Sequence, residues 1–437
     1  MSDAKPPFLR RVVIDNYKSI KHCDVTLGPL TFLLGPNGSG KSNFLEAIGF
    51  VADLLTTNLD QSLRDRGGMD QVRHRAPGAE EPNVRVLLLG VLSRGQEFGF
   101  RYEWGQPLEE TCTTLGTELC WISENGADDH SYLVQSRGKV EGRHVMQASF
   151  DPRPPVASDR LYLSAASSFP EFSVLYNQLA GMKFYSVNPG AIRHDQFSLG
   201  GDAVLKDGAG TLGVLQRIFS AGGWEKERII EYMRAILPSL DRLAIESLLD
   251  YAKRAQPEAA SFLERARAGG EPHSLSFVLR ANDHPLHFSH HQMSDGTLRA
   301  LGVLTALFQC KDRPPQRPIP LVGIEEPEAT LHPAAAGVLT DALREASHWT
   351  QVIVSSHSPD LLDSKDLDPD SLLIFDMKGS ETVVGPADEA SKSILRQRLC
   401  TAGELLRQNQ LEPDLRTPEP APTDSPPPGS MDSQGKS

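Results

Sequence analysis

The chain has 437 residues, 39% of them hydrophobic and 23% charged, an ordinary globular composition with room for one large domain or two smaller ones. Its formal net charge of −13 excludes a general nucleic-acid coat, so any DNA contact would need a local basic patch or a partner. The five cysteines are scattered without a C-x-x-C pair, the N-terminus lacks an apolar signal-peptide core, and no apolar run reaches the roughly 18 residues of a membrane span, so the expectation is a cytoplasmic protein with reduced thiols.

In chain order, Phe8 to Ile14 reads as a first strand, Asn16 to Ile20 as a turn and His22 to Leu27 as a second strand. Lys18 lies near the next motif in sequence and reads as a solvated turn lysine. Leu30 to Leu34 is a short apolar strand, and Asn43 to Leu55 carries Phe44, Leu45, Ile48, Val51, Leu54 and Leu55 at helical spacing. Between them stands Gly35-Pro36-Asn37-Gly38-Ser39-Gly40-Lys41-Ser42, which fits G-x-x-x-x-G-K-[ST] at every fixed position. Glycines let successive backbone N–H groups turn inward around phosphate oxygens, and the helix start adds unpaired N–H groups and a positive dipole end. Lys41 is expected to reach the β- and γ-phosphates of ATP, Ser42 to ligate Mg²⁺, and Asn43 to flank the same site.

Arg64 to Gly68 and Gln71 to Arg75 form a basic stretch that reads as solvated surface. From Asn83 to Phe150 short β runs separated by turn residues describe an antiparallel lobe. Asp151 to Thr211 reads as irregular apart from a strand end at Tyr185 to Pro189. Leu212 to Phe219, Glu225 to Leu237 and Glu258 to Ala268 look helical, without sustained heptads, and Ser274 to Leu279 is a strand. His284, His287, His290 and His291 invite a zinc reading, but no cysteine or carboxylate stands at ligand spacing and strand alternation would split them between faces. Glu412 to Ser437 holds seven of the 32 prolines and almost no apolar residues, so it is expected to stay outside the core as a disordered tail.

Three later stretches say what is done with the nucleotide. Pro320 to Pro327 is a buried-type strand ending in Glu325 and Glu326, which alternation would send to opposite faces: Glu325 to the Mg²⁺ side, Glu326 as general base for a water. Gln351 to His357 is a second apolar strand with a polar tip, placing His357 at the carboxyl edge where ligands bind in such sheets. Met293 to Thr297 opens a helix with Leu298, Leu301, Leu304 and Phe308 on one stripe; Ser294 or Asp295 can cap it, and Gly296 leaves its start open as a second anion site.

Together these motifs resemble the ABC-type ATPase heads of the RecF and SMC kind, in the short predicted-ATPase form without a long coiled coil. The resemblance is carried by Asn16 to Ile20, the P-loop, Ser294-Asp295-Gly296-Thr297-Leu298-Arg299 as signature, Ile324-Glu325-Glu326-Pro327-Glu328 as Walker B, Ala329 to His332 at the D-loop and His357 in the switch strand. It implies an α/β fold: a P-loop NTPase with a mixed central sheet, an antiparallel β lobe and a helical signature lobe. The expected division is a nucleotide-binding lobe from 1–82 and 310–411, a β lobe over about 83–150, a helical lobe over about 151–309 and a tail over 412–437. It also implies Mg²⁺-dependent ATP hydrolysis in a head-to-tail homodimer, because Ser294, Asp295 and Gly296 would meet the nucleotide held by the opposite chain. The implied role is DNA repair, DNA metabolism or defence against foreign DNA, with DNA and a separate nuclease or toxin effector as partners. Two departures stand out. Glu325 replaces the usual aspartate of Walker B, which keeps open an alternative reading as a weakly hydrolysing scaffold that assembles a partner. Ser-Asp-Gly-Thr replaces the Ser-Gly-Gly of transporters, which argues against a transport subunit. Asp366 and Asp368 read as a solvated acidic loop, not a nuclease centre.

Overall fold

The computed structural model describes residues 6–74, 83–105, 114–124, 127–134, 140–143, 159–194, 203–247, 253, 273–280, 284–309 and 319–415. Strands β1 (Leu9–Tyr17) and β2 (Ile20–Thr26) form a hairpin whose turn is held by Asn16 and Lys18 at positive φ. After β3 (Leu30–Leu34) and helix α1 (Lys41–Thr56) come the short helices α2 (Leu59–Arg64) and α3 (Met69–Val72). Strands β4 (Val84–Val91), β5 (Glu97–Gly105), β6 (Thr114–Glu124), β7 (Ala127–Val134) and β8 (Val140–Arg143) follow as an antiparallel meander. They continue the sheet begun by the first hairpin, in the order β2-β1-β4-β5-β6-β7-β8.

The stretch read as irregular contains α4 (Tyr162–Ala166), α5 (Pro170–Ala180), β9 (Lys183–Tyr185) and α6 (Pro189–Arg193). Pro170 opens α5, where a missing N–H costs nothing, and Phe172, Leu175 and Leu179 give it a buried stripe. Helices α7 (Thr211–Ala221) and α8 (Trp224–Ile236) come next, then a three-stranded sheet of β10 (Leu240–Ser247), β11 (His273–Leu279) and β12 (Leu286–Ser289). The helix expected over Glu258 to Ala268 lies outside the described residues. The chain finishes with α9 (Asp295–Phe308), β13 (Leu321–Glu325), α10 (Pro333–Ala346), β14 (Gln351–Ser356), the hairpin β15 (Leu372–Lys378) and β16 (Glu381–Pro386), α11 (Glu389–Arg396) and α12 (Ala402–Arg407).

The second large sheet runs β16-β15-β3-β14-β13-β9. Its inner strands are parallel and covered on both faces, which is why they read as apolar runs without alternation. Leu33, Leu321, Ile353, Leu373 and Phe375 pack towards α1 and the seven-stranded sheet. Phe32, Leu34, Val322, Ile324, Val352 and Val354 pack towards α7–α10. The two sheets are tied by buried Gln351, whose Oε1 accepts from Leu9 N at 2.8 Å and whose Nε2 donates to the Leu9 and Gly28 carbonyls at 2.8 and 2.9 Å. The sequence assigns Glu412 onward to the tail, yet residues 412–415 are described, and Ala387 and Pro413 form an antiparallel bridge beside β16; residues 416–437 lie outside the described residues.

Candidate functional site

Three neighbouring parallel strands bring the motifs to one edge. In register, Ser356 of β14 faces Leu34 of β3, one residue before the P-loop, and Glu325 of β13 faces Ser355. The P-loop, the Glu325–Glu326 pair and His357 therefore leave the sheet at the same end.

The P-loop is shaped by its glycines. Gly35, Gly38 and Gly40 sit at φ of 151°, 80° and 100°. A side chain at Gly35 would strike the Phe375 carbonyl at 2.1 Å. Lys41, the first residue of α1, donates Nζ hydrogen bonds to the Gly35 and Pro36 carbonyls at 2.7 and 2.8 Å, so its ammonium is curled into the loop. Burial holds the Lys41 pKa below the ordinary lysine value, and the charges of Glu326 and Glu328 oppose that shift. Ser39 Oγ is buried with no hydrogen-bond partner. A positively charged loop with an orphaned hydroxyl, left-handed glycines and free helix-start N–H groups fits a bound phosphate chain. Ser42 is exposed at the helix start. Asn43 Nδ2 donates to Ser19 Oγ at 2.7 Å, and Ser19 Oγ meets Thr382 Oγ1 at 2.7 Å, so a chain of polar groups ties α1 to the first hairpin and to β16.

Glu325 ends β13 half-buried, on the same face as Gly323, whose added Cβ would approach Phe184 and the Leu45 side chain of α1. It also lines a cavity of about 250 Å³ along α1, shared with Glu46, Arg66 and Lys206. Burial raises its pKa; the nearby Lys206 charge opposes this and Glu46 and Glu326 reinforce it. Glu326 has left the strand: its φ of 42° is left-handed, and its N–H donates to the Ser355 carbonyl at 2.9 Å. Its separation from Glu325 comes from this backbone turn as well as from alternation. Glu326 Oε1 lies 3.0 Å from His357 Nδ1, with both side chains about 40% exposed (42% for His357, 40% for Glu326), so solvent reaches the pair. Glu328 is buried, accepts from Ser356 Oγ, and has its pKa raised chiefly by burial. The half-buried Glu325 carboxylate and the Ser42 hydroxyl at a helix start are a donor set that suits Mg²⁺, which usually combines one or two protein carboxylates with phosphate oxygens and waters.

The signature residues join this edge through Walker B. Ser294 caps α9, its Oγ accepting from Thr297 N at 3.2 Å. Asp295, at the helix start, is instead paired with Arg193 of α6 at 2.6 Å. Gly296 faces the Thr330 carbonyl so closely that a Cβ would sit 2.6 Å from it. Arg299 Nη1 reaches the Glu326 carbonyl at 3.4 Å.

Several basic residues, Lys18 and Arg66 among those read as solvated, are engaged. Lys18 is ion-paired with Glu46. Arg66, nearly buried, bridges Glu46 and Asp53 and lies over the Phe50 ring. Arg10 pairs with Glu97, Arg11 with Asp24, and His74 Nδ1 meets the Lys18 carbonyl at 2.7 Å. Their partners, carboxylates for the cations and a backbone carbonyl for His74, lie 13 or more residues away in sequence, so no local pattern announced them. The acidic loop is solvated, as read: Asp366 and Asp368 are exposed, Asp366 paired at the surface with Arg398 and Asp368 accepting from Asp370 N. Among the described residues no cluster of His, Cys, Asp and Glu forms a metal cage, and buried His290 is held neutral, with its pKa pushed down to about 4 mainly by burial. Ser19, Thr382, Glu328 and Arg299 support the site and carried no role in the sequence reading beyond motif membership; Thr382 stands some 340 residues from the P-loop.

Residues 30–123 and 156–363 match the family described as "AAA domain, putative AbiEii toxin, Type IV TA system". The chain belongs to this family. The AAA-domain assignment spans the P-loop strand, both Glu325 and Glu326, and His357. Over 41 residues the chain is 54% identical to the DNA replication and repair protein RecF of Vibrio vulnificus, covering 9% of this chain and 11% of that protein. Over 114 residues it is 44% identical to the OLD nuclease of Thermus scotoductus, covering 23% of this chain and 21% of that protein. The matched stretches thus span only a tenth to a fifth of these relatives. Among solved structures, an SMC head bound to the C-terminal winged-helix domain of ScpA aligns over 86% of this chain and 97% of its own, with 14% identity and a TM-score of 0.50. That likeness shows the fold, a mixed α/β SMC-head fold, and with the family match and the RecF and OLD nuclease stretches it supports a RecF/SMC-like ABC-type ATPase. Among the described residues no helix is long and apolar enough to cross a membrane.

Proposed function

We propose that this AAA-family chain binds ATP with Mg²⁺ and hydrolyses it, and that two copies pair head to tail around the nucleotide. The observation that carries the reading is the meeting of the P-loop, Glu325, Glu326 and His357 at one edge of three adjacent parallel strands. Lys41 and the backbone N–H groups of Gly38, Gly40, Lys41 and Ser42 hold the phosphates once Lys41 turns outward from the Gly35 and Pro36 carbonyls. Ser42 and Glu325 would hold Mg²⁺, which would supply neutralisation of phosphate charge. Glu326 takes the proton of the attacking water, and His357, hydrogen-bonded to it, orients the carboxylate and senses the γ-phosphate. Ser294, Asp295 and Gly296 face the nucleotide of the second copy.

RecF acts in DNA replication and repair by its name, and the family description names toxin systems. We place this chain in DNA metabolism or anti-phage defence, controlling a separate nuclease or toxin effector. The basic side chains Arg10, Arg11 and His74 are engaged within the chain, which favours a protein partner as the immediate target over direct DNA contact through them.

The test compares ATP turnover by the chain and by Glu326→Gln, with oligomeric state read with and without ATP-Mg²⁺. Loss of a general base predicts a rate about 10²–10⁴-fold lower, with the variant accumulating as an ATP-bound dimer. If both proteins bind ATP, neither hydrolyses it and assembly ignores nucleotide, the catalytic reading fails. The weakly hydrolysing scaffold then remains, and the lengthened carboxylate at Glu325 is the feature that favours it.

A further inference from the structure

At the opposite end of the central strands lies a groove of about 260 Å³. Its apolar wall is built from Pro6, Pro7, Phe8, Pro29, Pro320 and Trp349. Trp349 is fixed from behind by Trp224 and Phe308, with ring centroids at 5.2 and 5.7 Å. Trp349 Nε1 is buried and has no hydrogen-bond partner, whereas the other polar side chains around the groove make their hydrogen bonds within the chain. Gln351 bonds to Leu9 and Gly28, Thr350 Oγ1 donates to the Ile319 carbonyl, Ser347 Oγ donates to the Arg344 carbonyl, and Gln178 donates to Ser93 Oγ. An occupant would therefore be held by ring and methylene contact and not by side-chain hydrogen bonds. Proline-rich segments suit such aromatic-lined grooves, because their rings supply apolar area and little conformational entropy is lost on docking.

We propose that this groove docks the chain's own proline-rich tail, residues Thr417 to Gly429. Six of the eleven residues from Pro418 to Pro428 are proline. The described chain ends beside the same sheet: Asp414 N donates to the Pro386 carbonyl at 2.8 Å, and Pro386 faces Leu373, which faces Leu33. From residue 414 the path to Gln351 crosses four strand spacings of about 4.8 Å and four residues of about 3.3 Å along the strand, a distance of about 23 Å. A proline-type extended chain covers about 3.1 Å per residue, so about eight residues bridge that distance in a straight line and reach the middle of the proline run. Residues 412–414 run antiparallel to the end of β16, so the chain must first reverse, and the fourteen residues from Arg416 to Gly429 leave length for that turn. Tethering places the tail at an effective concentration on the order of millimolar, enough to occupy a shallow apolar site of modest affinity.

The experiment uses the full chain labelled with 5-fluorotryptophan, which gives four ¹⁹F signals, the Trp349 signal being assigned from Trp349→Phe. Replacing all six prolines (Pro418, Pro420, Pro422, Pro426, Pro427 and Pro428) by serine should shift the Trp349 signal and leave the other three in place. A synthetic peptide of residues 416–430 added to this variant should restore the shift, and Ser93→Tyr, which fills the rim, should abolish the restoration. Near-ultraviolet circular dichroism checks that each variant keeps its fold. An unmoved Trp349 signal, or no response to the peptide, overturns the proposal. A parent signal that depends on protein concentration between about 10 and 200 μM also overturns it, since intramolecular docking at millimolar effective concentration would not; a second copy would then be the occupant.

Discussion

Gly40 and Thr382 provide a quantitative test of how the P-loop is held. Gly40 has φ 100° and ψ 6°, outside the left-handed region that other residues tolerate. An added Cβ would also stand 2.2 Å from Thr382 Oγ1 and 2.9 Å from its Cγ2, and Thr382 is 3% exposed with nowhere to retreat. Gly40→Ala therefore carries a backbone cost of about 1–2 kcal/mol and an overpacking cost of about 1–3 kcal/mol, in total about 2–5 kcal/mol. Thr382→Ala removes both contacting atoms and leaves Ser19 Oγ, at 3.1 Å, as the nearest neighbour. In that background most of the overpacking cost is relieved, the Ser19 hydroxyl having only to give by a few tenths of an ångström, and mainly the backbone cost of about 1–2 kcal/mol remains. Equilibrium urea unfolding of the parent, the two single variants and the double variant should thus give a favourable coupling of about 1–3 kcal/mol. A coupling below about 0.5 kcal/mol would refute the claim that β16 closes on the loop at this glycine.

Two further predictions concern the frame. Gln351→Ala leaves the Leu9 N–H and C=O and the Gly28 carbonyl without their buried partner; three bonds at about 1 kcal/mol each give a loss of about 3 kcal/mol, read by urea unfolding, and a loss under about 1 kcal/mol would deny that Gln351 clamps the sheets. Glu118 is buried and accepts from Tyr132 OH and from the Tyr162 and Leu163 N–H groups, with its pKa raised to about 7, chiefly by burial. Because the folded value lies above the unfolded one, its contribution is fully present below about pH 4.5 and is lost as pH rises through about 7, a span worth about 3 kcal/mol. Stability measured across that range should fall for the parent more steeply than for Glu118→Gln; parallel profiles would show that Glu118 does not titrate within the fold.

The P-loop was legible because its whole requirement, glycines, lysine, serine and a helix start, is contiguous. The parallel strands were legible for a related reason: burial on both faces writes itself as an uninterrupted apolar run. The supporting residues were not, because their partners are remote. Lys18 and Arg66 look like surface cations until α1 presents Glu46 and Asp53 to them. The hydroxyl of Thr382 gains meaning only when β16 folds beside the first hairpin. Helices α4 and α5 were missed because Pro170 and the small polar residues around it resemble a loop, whereas proline at the first helical position starts a helix. Glu326 leaves its strand through a left-handed backbone that strand periodicity does not encode.

The narrow fit between Gly296 and the Thr330 carbonyl packs α9 directly against the segment after β13, and Arg299 adds a tether to the Glu326 backbone. In the proposed pair, each copy's α9 faces the nucleotide of the other while its root is fastened beside its own Glu326. The two reaction centres would then sit in mechanical series: a shift at one copy's Glu326 is delivered to the other copy's phosphate chain. Such a pair would fire and release as a unit, and a mixed assembly with one Glu326→Gln subunit would be slowed to less than half the parent rate.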